Sequence, residues 1–202
     1  PNSYSKMEAL QWLVKDFNPA YLDFISTQLL LIPKNTVPKY KVIYELYDSL
    51  EYAAKMFPGI LDMLTDTLNR SEIVDLTSDL LDKTLLTASD LLKYKSVIQQ
   101  LMNELVSMPA SQVDYYMPKI FWIAGFFNDP EMNKFMEKHR NAENISIASN
   151  ILKVLIKNNL EYKSKNIERI AEKPLFRHDL YDFLASSHSL ALMPEKYSSQ
   201  AS

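Results

Sequence analysis

The chain has 202 residues and a formal net charge of −3, with 47% hydrophobic and 23% charged residues, which excludes a disordered chain. Only Gly59 and Gly125 are glycine, whereas about 14 glycines would be typical of this length, so a P-loop or a Gly-rich dinucleotide fingerprint is also excluded. Tight β-hairpins are disfavoured because neither Asn-Gly nor Asp-Gly occurs. The composition therefore predicts an all-α protein.

The chain contains no cysteine, which excludes a disulfide frame, a thiolate zinc site and a catalytic thiol. Its longest apolar run, residues 120–127, is far shorter than the roughly 20 residues that cross a bilayer. The first residue is Pro1 rather than Met, which indicates an excised piece of a longer protein. We expect that protein to be intracellular, in the cytoplasm or the nucleus.

Helix start signals follow one another along the first half of the chain without a Gly/Ser-rich linker, which favours a single domain over residues 1–194. A long helix from Thr36 to Phe57 is predicted because its apolar residues keep a period near 3.6, and Phe57-Pro58-Gly59 is predicted to end it. The other helices predicted in this half lie near 4–17, 19–32, 60–69 and 72–86.

Two capping-box patterns, which predict helix starts, occur in the second half of the chain, at Thr87 to Asp90 and at Ser111 to Asp114. Pro118 predicts either a kink or a fresh helix start before the apolar run 120–123, which is apolar all round and is expected to be buried. Further helices are predicted at about 130–139, 145–155, 165–172 and 175–186, followed by a flexible polar tail over 195–202.

One stretch of this half carries a family pattern. Residues 147–155 form an apolar helix that ends in the polar turn Asn158-Asn159, and the buried-type residues Ile167, Ile170 and 175–184 follow. This arrangement resembles the seam between successive armadillo-type or HEAT-type helical repeats, over roughly residues 70–190. The resemblance implies an α-solenoid-like stack of about ten helices, with an irregular multi-helix bundle as the alternative. It also implies a binding scaffold without an active site.

The polar residues do not form a catalytic motif. The three histidines, His139, His178 and His188, include no i,i+4 pair, and no Gly-x-Ser-x-Gly elbow occurs. Five aspartates lie at helical spacing, and we expect solvated acidic faces because no EF-hand loop accompanies them. These are Asp62 and Asp66, and Asp75, Asp79 and Asp82. We therefore predict a protein that is not an enzyme and holds no cofactor and no metal.

Charge is unevenly distributed along the chain. Residues 45–90 contain ten acidic residues and three basic ones, whereas residues 153–178 contain seven Lys/Arg and three acidic residues. Opposite patches can steer a charged partner, although solvation of outward helix faces is the favoured explanation. The basic stretch could also follow the phosphates of a nucleic acid, with Tyr162 or Phe176 stacking on a base, but the net charge is negative and arginine is scarce.

The resemblance implies that Lys153, Lys157, Asn158 and Asn159 lie on the ligand-facing helix, where Asn side chains can hold a peptide backbone. A second candidate set is Tyr40, Tyr44 and Tyr47, which follow i, i+4, i+7 spacing; tyrosine is enriched at interfaces, and partial core burial is the alternative. Trp122 and its neighbours Phe121, Phe126 and Phe127 are expected in the core rather than at a docking site.

We predict a non-catalytic protein–protein interaction scaffold that recognises a peptide or a partner helix on a helical surface. The alternatives are a regulatory module that binds a small GTPase or a cytoskeletal partner, and an RNA-binding helical protein.

Overall fold

The computed structural model of the chain describes residues 3–198. Within them the structure is helical and contains no strand, which confirms the all-α class. The α-helices are α1 (Ser3–Lys15), α2 (Leu22–Leu31), α3 (Tyr40–Glu45), α4 (Leu50–Ile60), α5 (Arg70–Asp82), α6 (Lys95–Ser107), α7 (Lys119–Gly125), α8 (Pro130–His139), α9 (Ile145–Lys157), α10 (Ser164–Ala171), α11 (Pro174–Ser186) and α12 (Glu195–Ser198). Six short 3-10 helices lie between them, at Pro19–Tyr21, Leu46–Asp48, Leu61–Thr65, Ala88–Tyr94, Ala110–Gln112 and Leu190–Leu192.

The chain divides into two compact units, the first ending at Ile98 and the second beginning at Gln99. The boundary between the two units falls inside α6. The sequence predicted one domain over residues 1–194 and no boundary at this point. At the other end, residues 195–198 of the predicted flexible tail form α12, and residues 199–202 lie outside the described residues.

In the first unit, α1 contacts α2 and α3, α3 contacts α5, and α2 contacts α4. The predicted long helix from Thr36 to Phe57 is wrong, because extended backbone at Ser49 (φ −147°, ψ 87°) separates α3 from α4. The Ser49 carbonyl accepts the Ala53 N–H at 2.9 Å, so this serine begins a new helix. Serine favours such boundary positions because its hydroxyl competes with helical hydrogen bonds.

A buried ion pair fastens the loop after α2 to the loop before α5. Lys39 Nζ lies 2.9 Å from Asp66 Oδ2, and both side chains are at most 1% exposed. Asn69 Nδ2 donates to the same oxygen at 2.8 Å, and the backbone N–H groups of Asn35 and Leu68 donate to Oδ1, each at 3.1 Å. The Lys39 backbone N–H donates in turn to Asn69 Oδ1. Charge and hydrogen bonding are therefore satisfied together at this buried site.

The expectation of solvated acidic faces is wrong for two of the aspartates. Asp66 is fully buried, because Lys39 supplies its countercharge from a distant part of the chain, and Asp75 is buried with the Tyr47 hydroxyl donating to its Oδ2 at 2.5 Å. Burial opposes ionisation of Asp66. The hydrogen bonds from Lys39, Asn69 and the Asn35 backbone outweigh it and hold the pKa of the carboxyl below its ordinary value.

This lowered pKa predicts acid sensitivity. Asp66 contributes stability above its unfolded-state pKa of about 4, and that contribution is lost as pH falls from there through the folded-state pKa. Asp66→Asn should lower the free energy of unfolding at neutral pH by about 3–5 kcal/mol, because it leaves Lys39 charged and buried. Urea unfolding of both proteins across this pH range measures the effect.

The variant should also lack the part of the acid sensitivity that Asp66 supplies. Asp16→Asn is the control, because Asp16 is exposed at the end of the first helical segment. Equal pH dependence and equal stability in Asp66→Asn and the native chain would contradict the assignment.

In the second unit, α9 contacts α7, α8, α10 and α11. The facing sides of α9, α10 and α11 and Met193, which follows the last 3-10 helix, share one hydrophobic cluster. Its helical members are Ala148, Leu152, Ile156, Ile167, Ile170, Ala171, Leu180 and Leu184. The α7 residues Ile120, Phe121 and Ile123 are buried as expected. Helix α9 is therefore the central element of this unit.

Side-chain caps begin some of the helices, α8 and α9 among them. Asp129 Oδ1 accepts the N–H groups at the start of α8, and Asn144 Oδ1 does so for α9. Thr87 and Asp90 form the predicted capping box, which opens a 3-10 helix leading into α6. At the second predicted capping box, Asp114 Oδ1 accepts the Tyr116 N–H at 2.9 Å. Helix α7 then begins as a new helix at Lys119.

Candidate functional site

The seven predicted partner-binding residues fall into two groups, one in each unit. Lys153, Lys157, Asn158 and Asn159 lie on the last turns of α9 and just beyond it, in the second unit. Tyr40 and Tyr44 lie on α3 and Tyr47 on the 3-10 turn that follows, in the first unit.

The α9 lysines belong to a surface that we call the aromatic–lysine face: Trp122 and Phe126 of α7, Lys153 and Lys157 of α9, and Phe183 of α11. The Trp122 ring meets Phe126 and Phe183 edge-on, at centroid distances of 5.6 and 5.7 Å. All three rings are half-buried. Trp122 and Phe126, which were expected in the core, are therefore buried only in part.

Both lysines lie over these rings. Lys157 Nζ is 3.0 Å from the Phe126 ring centroid and 4.4 Å from that of Trp122. Lys153 Nζ is 6.0 Å from the Phe183 centroid and 2.6 Å from Asp179 Oδ2. A cation over an aromatic face is attracted by the ring quadrupole, by about 0.5–1 kcal/mol at exposed sites. The rings therefore hold positive charge at defined places on the face.

The close approach of α7 and α9 creates this geometry. A Cβ on Gly125 would lie 2.6 Å from Val154 Cγ2 and 2.8 Å from its Cγ1, so only glycine fits without a shift. Asn158 Nδ2 donates to the Gly125 carbonyl at 3.0 Å and fastens the end of α9 to the end of α7. One turn earlier along α9, the Lys153 side chain is brought beside α11 through Asp179.

Asn158 and Asn159 both have structural roles within the chain. The Asn158 amide nitrogen bonds the chain's own backbone. Asn159 has a positive φ of 54°, and the Leu160 N–H donates to the Leu155 carbonyl at 2.8 Å, which is the pattern of a Schellman helix end. Asparagine tolerates this left-handed conformation better than most residues do.

The tyrosine group is a short ladder of rings. Tyr40 and Tyr44 are 5.7 Å apart and Tyr44 and Tyr47 are 6.3 Å apart, between centroids. Tyr40 and Tyr44 are exposed, whereas Tyr47 is half-buried with its hydroxyl on Asp75. The rings of Tyr40 and Tyr44 are therefore exposed at the surface of the first unit, and Tyr47 matches the alternative of partial core burial.

The basic stretch is largely engaged in contacts within its own unit. Arg169 Nη2 donates to the carbonyls of Ala142 and Glu143, at 2.7 and 3.1 Å, and Arg177 Nε donates to the Ala171 carbonyl at 2.7 Å. The rings of Tyr162 and Phe176, considered as base-stacking groups, are partly buried against the hydrophobic cluster of α9, α10 and α11. These contacts leave fewer side chains available to follow a phosphate backbone.

A small cavity of about 90 Å³ lies elsewhere in this unit, beside His139, Glu143 and Asn144. Burial, with the nearby charge of Lys138, lowers the pKa of His139. Within residues 3–198, no three or more His, Asp or Glu side chains are arranged to hold a metal ion. Over the same residues, no helix has the length and apolar character needed to cross a membrane.

Comparisons with protein-family models, curated proteins and solved structures find no match to this chain. The armadillo/HEAT resemblance therefore stays a prediction. The function has to be inferred from the contacts of the chain's own residues.

Gly125→Ala should destabilise the second unit. Alanine is favoured over glycine inside a helix by about 1 kcal/mol, but the contact with Val154 should reverse that sign and cost about 1–3 kcal/mol. Urea unfolding measures the free energy. The double variant Gly125→Ala/Val154→Ala should lose less free energy of unfolding than the sum of the losses of the two single variants. If the two losses simply add, the steric explanation is contradicted.

Asn159→Gly should leave the free energy of unfolding unchanged or raise it slightly, because glycine adopts a positive φ without strain. Asn159→Val should lower it by about 1–2 kcal/mol, since a β-branched side chain crowds this conformation. Thermal unfolding followed by circular dichroism compares the two variants. Similar stabilities for the Gly and Val variants would show that backbone conformation does not determine this position.

Proposed function

We propose that the chain is a non-catalytic interaction scaffold of α-solenoid-like construction, and that its aromatic–lysine face recognises a peptide or a helix of a partner protein. Residence in the cytoplasm or nucleus remains part of this proposal, as does an additional contribution from Tyr40 and Tyr44.

The pattern of helix contacts supports the solenoid-like construction. In the first unit α1, α3 and α5 make successive contacts, and α2 contacts α4; in the second unit α7, α9 and α11 make successive contacts. Contacts between alternate helices arise when helix pairs stack on one another. An irregular bundle has no reason to repeat this pattern in both units.

The spacing of hydrogen bonds supports the same construction. Gln11 Nε2 donates to Glu45 Oε1, and the Tyr52 hydroxyl donates to the Asn18 carbonyl, each across a separation of 34 residues. In the second unit, Asn144 Nδ2 donates to the Ala110 carbonyl across the same 34 residues. Other long-range side-chain bonds span 24 to 33 residues, from Glu161–Glu137 to Asn158–Gly125. All these separations lie within the length of one helical repeat, about 20–45 residues, and repeats bond mainly to their neighbours, so the separations favour stacked pairs.

The observation that carries the binding proposal is the half-buried Trp122 between two phenylalanines, with a lysine over the rings. Aromatic residues dominate the energetic centres of protein interfaces because they bury a large area at little conformational cost. Helix packing on α7, α9 and α11 orders these rings before a partner arrives, which lowers the entropy cost of binding.

The proposal is tested with Lys157→Glu and the matched control Lys134→Glu. Lys134 is an exposed lysine of α8 in the same unit, so both variants carry the same change of charge. Tagged native chain and both variants are used to capture partners from cell extract, and candidates are then remeasured with purified proteins. We expect at least one partner that binds the native chain and the control but loses about tenfold or more in affinity for Lys157→Glu.

If every partner binds all three proteins equally, the aromatic–lysine face is not the recognition surface. If the chain instead binds RNA through the basic stretch, and the affinity falls steeply as the salt concentration rises, the RNA-binding alternative replaces the proposal. Partners that prove to be small GTPases or cytoskeletal proteins would specify the scaffold as the regulatory module.

A further inference from the structure

We infer that the occupant of the aromatic–lysine face is an acidic amphipathic helix of a partner protein, with two carboxylates one turn apart and an apolar side chain that packs on Trp122. This inference rests on the proposed function and names the chemistry of the partner. It is argued from the two lysines, from Asp179 and from the local charge.

The spacing of the lysines fits a helical partner. Lys153 and Lys157 are four residues apart on α9, so their Cβ atoms lie about 5–6 Å apart on one side of the helix. Carboxylates at i and i+4 of a second helix have the same spacing. Two helices packed side by side can therefore pair both charges without distortion of either backbone.

The structure already contains a carboxylate at this face. Asp179 Oδ2 lies 2.6 Å from Lys153 Nζ, and its side chain remains 54% exposed. The Lys153 side chain is only 14% exposed, so we expect an incoming carboxylate to share its ammonium with Asp179 rather than to replace Asp179. An ammonium group has three donors, so Lys153 can bind Asp179 and a second carboxylate together.

The local charge favours an acidic partner over a basic one. The face itself carries two lysines, Lys153 and Lys157, and one carboxylate, Asp179. Lys157 lies over the rings of Trp122 and Phe126, which hold the ammonium beside apolar surface. A partner that brings both a carboxylate and an apolar side chain can use this mixed surface, whereas a basic helix would bring like charges together.

The test uses alanine-based helical peptides of about 16 residues, long enough to populate a helix in water. One carries two Glu residues four apart with a Leu on the same side; the matched peptides carry Gln or Lys in place of Glu. Binding to the full chain is measured by fluorescence anisotropy at low and physiological salt. We expect the Glu peptide to bind most tightly and to weaken as salt rises.

Variants locate the binding. The double variant Lys153→Glu/Lys157→Glu should weaken the Glu peptide about tenfold or more, whereas Lys134→Glu should leave its affinity within about twofold. Asp179→Asn should tighten binding about two- to threefold, because it removes a competing carboxylate. Circular dichroism before titration checks that each variant is folded.

The outcomes separate this inference from the proposed function. If the Gln or Lys peptide binds as well as the Glu peptide and Lys157→Glu abolishes that binding, the face is a binding site but not one for acidic helices. If the Glu peptide does not bind, or binds the double variant equally, the inference is wrong, and the capture experiment decides the proposed function by itself.

Discussion

The contact between Gly125 and Val154 is the constraint on which the second unit depends. It allows α7 and α9 to approach closely enough for the Asn158 amide to reach the Gly125 carbonyl. The same approach sets Lys157 over the α7 rings. The lack of a side chain at Gly125 thus determines how α7 and α9 pack and where Lys157 lies on the surface.

Both glycines of the chain are used in this way. A Cβ on Gly59 would lie 2.8 Å from the Ser26 Cβ, where α4 packs on α2 in the first unit. Neither glycine has a positive φ; residues such as Thr84, Asn159 and His188 adopt the left-handed conformation where helices end. Both glycines thus lie where helices pack closely, and the left-handed conformation at helix ends is adopted by other residues at a modest cost in free energy.

Local signals allowed much of the fold to be predicted. The starts of α8 and α9 could be placed because Asp129 and Asn144 act on N–H groups two and three residues away. The break at Ser49 could not, because apolar periodicity runs through it unchanged. Asp66 was misjudged because its partner Lys39 lies 27 residues away, and no local pattern reports such a pair.

The candidate site was predictable in part for the same reason. The resemblance to armadillo-type repeats points to Lys153 and Lys157, and Phe126 follows Trp122 by one helical turn. Phe183 and Asp179 join them only through the packing of α11 on α9, which sequence spacing does not encode. The face is therefore a tertiary property of three helices.

The buried position of Asn69 restricts covalent modification. Asn69-Arg70-Ser71 has the form of an N-glycan acceptor, yet the Asn69 amide nitrogen is enclosed and donates to Asp66. An oligosaccharide on that nitrogen would occupy the space of the Lys39–Asp66 pair. The native fold and a sugar at this residue are mutually exclusive, so an oligosaccharyltransferase would have to act before the first unit folds and would then prevent its assembly.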